Sequence, residues 1–326
     1  VPHCMVKSCV SSHLVRRHKA LYLAGRMANE AIHVADMNRA LEARFVPTDE
    51  QDKFEPITNL QEAFEGLFES SVKTPQTVVI DDYPSLVEAV PQFPIHLRDL
   101  LDTYKETSQL NIILMANGLE QLDGRIIGDR SLIGPYVSEY FEVKPFSLVD
   151  MKSLGLHYAK DDLRTVFAVT GGLPAYVQYF DNGESIDTNI INLFFSVSGA
   201  LFEETQHILH RDMKNITGAN AILSGLATLE RPYYVELLQA SQIKSGTFTS
   251  RLNDLMAMGL VGRIQANSRG PAKYADYHFT NSMFHFWYRY VYKYWGDIVR
   301  GNGADVYQTY VKPQLKDFVE ASCIAI

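Results

Sequence analysis

The first half of the chain alternates short, unbroken apolar runs with longer segments whose apolar residues recur every three or four positions. Ala20-Leu21-Tyr22-Leu23-Ala24 is such a run and predicts a strand, after a polar, amphipathic stretch from Ser11 to Lys19. Ala28 to Phe45 and Leu60 to Phe68 carry helical spacing. Thr77-Val78-Val79-Ile80 is β-branched and apolar, is closed by Asp81-Asp82, and predicts a parallel strand buried on both faces. A helix from Ile95 to Thr107 follows, then a second buried strand, Leu110 to Met115, ending at Ala116-Asn117-Gly118. Strands that alternate with helices imply a parallel sheet with right-handed crossovers.

After Phe141-Glu142-Val143-Lys144-Pro145-Phe146 the pattern becomes helical, from Ser147 to about Met213. Gly171-Gly172-Leu173-Pro174 ends one helix on glycine and starts another at proline. A third segment, about Asn215 to Thr280, reads as a helix through Leu229, a short helix through Ala240 and a turn at Lys244-Ser245-Gly246. A helix from Thr247 to Met258 comes next, then two strand-like runs around Asn267-Ser268-Arg269-Gly270-Pro271. That is the order of a winged helix. The expected division is 1–146 for an α/β core, 147–213 for a helical lid, 214–282 for a winged helix, and 283–326 for an aromatic helix that opens a further domain.

Composition narrows the possibilities. The chain has 326 residues, 46% of them hydrophobic, enough for a substantial core and two or three domains. The net charge of -8 argues against indiscriminate coating of nucleic acid, because nonspecific phosphate binding rests on excess Lys and Arg. Any DNA contact must therefore be local. No apolar run approaches bilayer length, and Val1 to Val10 contain Pro2, His3 and Lys7 in place of a secretory apolar segment. A cytoplasmic protein with no membrane partner is expected. Cys4, Cys9 and Cys323 are odd in number, lie near the two ends and lack zinc-site spacing. The chain starts at Val1 and stops at Ile326 directly after an apolar segment, so both ends read as cut.

A phosphate cradle needs glycines whose amides turn inward at positive φ. It then needs a Lys for the β- and γ-phosphates and a Ser or Thr hydroxyl for magnesium. Val1-Pro2-His3-Cys4-Met5-Val6-Lys7-Ser8 meets the pattern GxxxxGK[ST] only at Lys7 and Ser8, since both glycine positions are valine and Pro2 has no amide. Read alone, Lys7-Ser8 is a solvated chain end in preference to a phosphate site. Asp81 and Asp82 close a buried strand, where the first carboxylate of a P-loop enzyme helps to hold Mg²⁺ and the second orients the attacking water. An Asp-rich turn accounts for the same pair. Asn117 falls at the same sheet edge, although Asn before Gly is also a routine turn. The order of the three features carries more weight than any one of them.

The sequence resembles the archaeal-type P-loop ATPases of the AAA+/STAND division. The resemblance covers nearly the whole chain. It rests on Val79-Ile80-Asp81-Asp82-Tyr83-Pro84-Ser85-Leu86, the Lys144-Pro145-Phe146-Ser147 boundary, Val169-Thr170-Gly171-Gly172-Leu173-Pro174-Ala175-Tyr176 and Leu201-Phe202-Glu203-Glu204. Leu255-Met256-Ala257-Met258-Gly259-Leu260-Val261 and Phe286-Trp287-Tyr288-Arg289 complete it. The resemblance implies ATP and Mg²⁺ as ligands, with Lys7 and Ser8 as the Walker A lysine and magnesium-side hydroxyl. Asp81 would be the Walker B metal carboxylate and Asp82 the catalytic acid, a position that is usually Glu in the family. Asn117 falls at the sensor position, where the family more often has a small hydroxyl after glycine. A family Gly-Arg pair appears here as Gly134-Pro135, and the strand that should precede the P-loop is missing. These departures imply a weakened or lost hydrolysis. The stretch Leu315 to Cys323 resembles the opening helix of the family's nuclease-like domain, with Glu320 as its first acidic residue; the further carboxylates and Lys that nuclease chemistry needs do not follow.

In the winged-helix segment, Phe248, Leu252, Leu255 and Met256 make the buried stripe of the third helix. Thr247, Thr249, Ser250, Arg251 and Asn253 then face outward, as a DNA-reading helix would. Lys244, Arg251, Arg269 and Lys273 are the candidate DNA contacts, and packing against a protein partner is the competing use. The run from Phe284 to Trp295 reads as core packing in preference to a base-stacking platform. Glu203, His207 and His210 read as a solvated helix face, since no second acidic or Cys cluster completes a metal site. The expectation is an α/β P-loop NTPase core, incomplete at its N-terminus, followed by the lid and the winged helix. Its function is a nucleotide-dependent switch, the alternative being a non-catalytic DNA- or protein-binding module.

Overall fold

The computed structural model describes residues 5–45, 53–116, 131–141, 146–213, 215–264 and 275–324; within these, the side chains of 5–10, 12, 152, 153, 212 and 324 are left undescribed. The chain divides into two units, one centred on Lys7–Val143 and one on Lys144–Ile326.

In the first unit α1 (Met5–His18), β1 (Leu21–Ala24), α2 (Glu30–Glu42), α3 (Leu60–Ser71), β2 (Gln76–Asp81), α4 (Tyr83–Ala89), α5 (Phe93–Thr103) and β3 (Leu110–Leu114) follow in order. The strands form one parallel sheet in the order β1-β2-β3. Ala24 pairs with Asp81 and Ile80 with Leu114, so the three carboxyl ends lie side by side. Val78, Val79 and Ile80 of the central strand are fully buried, as a parallel strand covered on both faces requires. Phe64, Leu67 and Phe68 of α3, Phe93 and Leu97 of α5, and Val34 and Met37 of α2 belong to the same core.

Local chemistry sets the helix boundaries. Asn29 and Asn59 cap α2 and α3 by accepting from the Ile32 and Glu62 amides, which trims the expected 28–45 helix to Glu30–Glu42. The helix expected from Ile95 starts two residues earlier, at Phe93, with Pro94 in its first turn. Helix α4 was not anticipated from periodicity, because seven residues are too few to display one.

The second unit contains α6 (Lys160–Thr170), α7 (Pro174–Val177), α8 (Ile186–Phe194), α9 (Glu204–Asp212), α10 (Ile216–Thr228), α11 (Tyr234–Ser241) and α12 (Ser245–Ala257). An antiparallel pair, β4 (Val261–Ile264) and β5 (Asp276–Phe279), comes next, then α13 (Ser282–Phe286) and α14 (Lys312–Ile324). Wide π turns, a tight 3-10 turn and two short α-helical turns, Trp295–Asp297 and Gly303–Val306, join α13 to α14, with a break at Gly301, φ 90°. Gly171 and Gly172 end α6 at φ 65° and 67°; a Cβ on Gly172 would lie 2.3 Å from the Phe146 carbonyl oxygen, so only glycine fits there. Ser245 and Gly246, expected in a turn, form the first turn of α12 instead.

A single continuous apolar core runs through this unit from Met151 to Val319. The aromatic segment belongs to it: Phe284, Phe286, Trp287, Tyr288 and Tyr290 are buried. The Trp287 indole donates to the Phe202 carbonyl at 2.7 Å, and Phe286 meets Phe194 edge-on at 5.1 Å. Some polar groups inside are paired with one another. Tyr288 donates to Asn220 Oδ1 at 2.5 Å, and the Asn220 and Gln206 amides bond each other in both directions at 3.0 Å. Burial pushes the Asp187 carboxyl up, but hydrogen bonds from Lys312 and Tyr307 outweigh it and hold the group below its ordinary range.

His285 stacks on Phe279 at 5.2 Å and meets Phe318 edge-on at 5.1 Å. Burial, and secondarily the Arg289 charge, bring its pKa down from 6.5 to about 4. The unfolded chain binds this proton near pH 6.5 and the folded chain only near pH 4, so the stability from a neutral His285 is complete above the first value and is lost as pH falls through the second. Denaturant midpoints should therefore fall as the buffer moves across that window, and should fall less in His285→Phe; equal slopes in the two proteins would contradict this.

Candidate functional site

The carboxyl edge of the parallel sheet brings together the ends of β1, β2 and β3. Asp81 is the last residue of β2, where the strand leaves the buried layer. Tyr22 of β1 lies two register positions back, since Ala24 is the residue opposite Asp81. Its exposed side chain reaches along the strand, and its hydroxyl donates to Asp81 Oδ2 at 2.9 Å. The Tyr22 phenol, 37% exposed, is pushed up to about 12 by its remaining partial burial first, then by this hydrogen bond and the charge of Asp81.

Asp82 occupies the N-cap position of α4 with φ 52° and ψ 51°, a left-handed backbone that a short Asp side chain tolerates. Its side chain accepts from Ser85 Oγ at 2.8 Å, and its carbonyl accepts from the Ser85 and Leu86 amides. Each acidic residue is thus held by a hydroxyl, Asp81 by Tyr22 and Asp82 by Ser85.

Backbone contacts lock the edge. The Gly25 amide donates to the Asp81 carbonyl at 2.6 Å, the Met115 amide to the Ile80 carbonyl at 2.9 Å, and the Tyr83 amide to the Met115 carbonyl at 2.9 Å. A Cβ on Gly25 would lie 2.3 Å from the Asp82 carbonyl oxygen and 2.8 Å from that of Asp81. Glycine is required there by close approach.

Lys7 and Ser8 lie in the first turns of α1, with side chains outside those described. Asn117, Arg269 and Lys273 lie outside the described residues. Lys244 is the exposed N-cap residue of α12, while Arg251 is half-buried and donates to Asp254 at 2.7 Å. Phe248, Leu252 and Leu255 are buried as expected, and Met256 is half-buried against the core. Thr247, Ser250 and Asn253 are exposed; the Thr249 hydroxyl is paired with that of Tyr234 at 2.7 Å. His207 lies 3.8 Å from Glu203 on an exposed helix surface, and among the described residues no group of three His, Cys, Asp or Glu gathers that could hold a metal. Sequence reasoning missed Tyr22, Gly25 and Ser85. Only the strand register places the first of them beside Asp81.

The donor chemistry of this edge suits a hard divalent cation, which takes oxygen ligands: Asp81 presents a carboxylate, one oxygen of which is oriented by Tyr22. Among the described residues, no helix is long and apolar enough to cross a membrane.

No known protein family and no curated protein matches the sequence. Among solved structures, the chain is similar to a Walker-type ATPase of Pyrococcus abyssi, with a TM-score of 0.59 and 14% identity over 86% of this chain and 87% of the other. The Orc1 protein of Aeropyrum pernix, solved in complex with DNA, superposes with a TM-score of 0.30 and 12% identity over 82% of this chain and 76% of the other. The first of these carries the likeness: the mixed α/β fold, with its small parallel sheet, is similar to that of this Walker-type ATPase.

Because the Gly25 contacts are with backbone, neighbouring groups cannot swing aside. Gly25→Ala should destabilise the Lys7–Val143 unit by about 1–3 kcal/mol, read as a lowered denaturant midpoint. An unchanged midpoint would show that the strand ends do not pack as closely as described.

Proposed function

We propose that the Lys7–Val143 unit binds ATP with Mg²⁺ at the carboxyl edge of its sheet, and that hydrolysis there is weakened or lost. The observation that carries this reading is the placement of Asp81 and Asp82 at the end of a central parallel strand whose Val78, Val79 and Ile80 are fully buried, on a fold similar to that of a Walker-type ATPase. Helix α1 supplies the phosphate side. It is 14 residues long, about 21 Å, and ends just before β1; in this reading it runs back across the sheet with its N-terminus towards the carboxyl edge. There the positive end of the helix and the Lys7 ammonium attract phosphate, while Ser8 shares the cation with Asp81. Asp81 and Ser8 would hold magnesium, which would offset the charge of the phosphates. Asp82 and Asn117 are the residues that position water.

Two features weaken the chemistry. The valines at the cradle's glycine positions resist inward-facing amides, and the Asp82 carboxylate is committed to Ser85. The first weakens the hold on phosphate and the second weakens turnover; in this reading the binding that remains makes the protein a nucleotide-dependent switch in the cytoplasm. In this reading residues 147–213 act as the lid and 214–282 as a winged helix, a view supported by three helices followed by a hairpin and by the bridge from Tyr233 to Asp276.

A second reading makes the winged helix the working part, as a DNA- or protein-binding module without nucleotide chemistry. The exposed Thr247, Ser250 and Asn253 on α12 favour it, with Lys244, Arg251, Arg269 and Lys273 touching phosphates. The Arg251 ion pair with Asp254 would have to open for that contact.

Calorimetric titration with magnesium-ATP separates the two readings. Heat of binding in the wild type that is lost in Lys7→Ala and Asp81→Ala supports the first; identical flat traces from all three proteins up to millimolar nucleotide remove it. For the second, duplex binding should weaken with salt and should weaken again in Arg251→Ala and Arg269→Ala. Binding that survives both substitutions unchanged excludes this surface.

A further inference from the structure

We infer that Tyr22 is a positioning residue for the cation at Asp81: its hydroxyl fixes the orientation of the carboxylate from the neighbouring strand. This rests on the nucleotide-site reading above and adds to it a residue that belongs to no P-loop motif in the sequence.

The argument is geometric. A carboxylate at the end of a strand turns about its side-chain bonds unless something holds it, and a cation gains most from a ligand already oriented. Three separate features hold this one. The Gly25 and Met115 amides fix the backbone at 80–81 through carbonyl contacts of 2.6 and 2.9 Å. The parallel register puts Tyr22 two positions back on the next strand, a distance its long side chain spans. The hydroxyl then donates to Asp81 Oδ2 at 2.9 Å. A phenol that donates to a carboxylate leaves its negative charge in place, whereas an ammonium or guanidinium would cancel it. Tyr22 is therefore suited to orient a ligand without competing with the metal.

Its exposure fits that role. Tyr22 lies in the exposed part of a strand whose alternate residues, Leu21 and Leu23, are buried at 1% and 0%. The core packs against those leucines, so the Tyr22 hydroxyl contributes to the edge more than to the fold.

The test uses Mn²⁺ in place of Mg²⁺, with its affinity for the ATP-loaded protein read by electron paramagnetic resonance and ATP binding without metal read by calorimetry. Tyr22→Phe should weaken Mn²⁺ binding by about 10- to 100-fold, the usual effect of removing a hydrogen bond to a metal ligand, while metal-free ATP binding stays unchanged. Tyr22→Phe that binds Mn²⁺ as tightly as wild type, while Asp81→Asn loses it, overturns the role of Tyr22 and leaves the site standing. If Asp81→Asn also binds as wild type, the nucleotide-site reading falls instead. Fluorotyrosine introduced at position 22 alone keeps the hydrogen bond and guards against a misfolded variant: its fluorine resonance should broaden when Mn²⁺ binds with ATP. A resonance that stays sharp at saturating Mn²⁺ places the metal elsewhere and overturns the proposal.

Discussion

A strand buried on both faces meets no water, so β2 has to be apolar on both sides and hydrogen-bonded along both edges. Val78, Val79 and Ile80 satisfy the first condition, and β1 and β3 satisfy the second. Polarity can return only where the chain leaves the layer. Asp81 stands at that point, and the contacts of Gly25, Met115 and Tyr83 carry the hydrogen bonding past the end of the sheet. The rigidity of the candidate site is thus a by-product of satisfying a buried backbone.

Much of the first unit was legible because its signals are local. The β-branched run at 77–80 and the apolar run at 110–115 mark strands by composition, whereas the Asn29 cap, which starts α2 later than the spacing suggests, went unread. Gly171-Gly172-Leu173-Pro174 was equally readable, since left-handed backbone and a helix-starting proline are written in residue type. Helix α4 escaped because it is shorter than two full periods and begins on a left-handed residue that breaks the pattern.

The site was legible only in part, and the reason is register. Asp81 and Asp82 stand out along the chain, but the hydroxyl that holds Asp81 lies 59 residues earlier. Nothing in the residues around Tyr22 marks it, because its partner is chosen by how two strands align. Gly25 is similar: its necessity comes from the Asp81 and Asp82 carbonyls, which sequence does not place beside it. The aromatic run shows the converse. Its helical context pointed to packing, and burial of Phe286, Trp287 and Tyr288 agrees, yet the pairing of the Trp287 indole with the Phe202 carbonyl depended on the tertiary fold.

The shared interior of the second unit has a bearing on heredity. Side chains from α6, α10, α12, the hairpin and α14 all enter one apolar cluster between Met151 and Val319, and Asp187 is tied to Tyr307 and Lys312 across more than a hundred residues. Swapping any one of these segments into another chain would export half a jigsaw and leave the other half open to water. Recombination can therefore trade this piece only whole, so its parts must change together or by small steps.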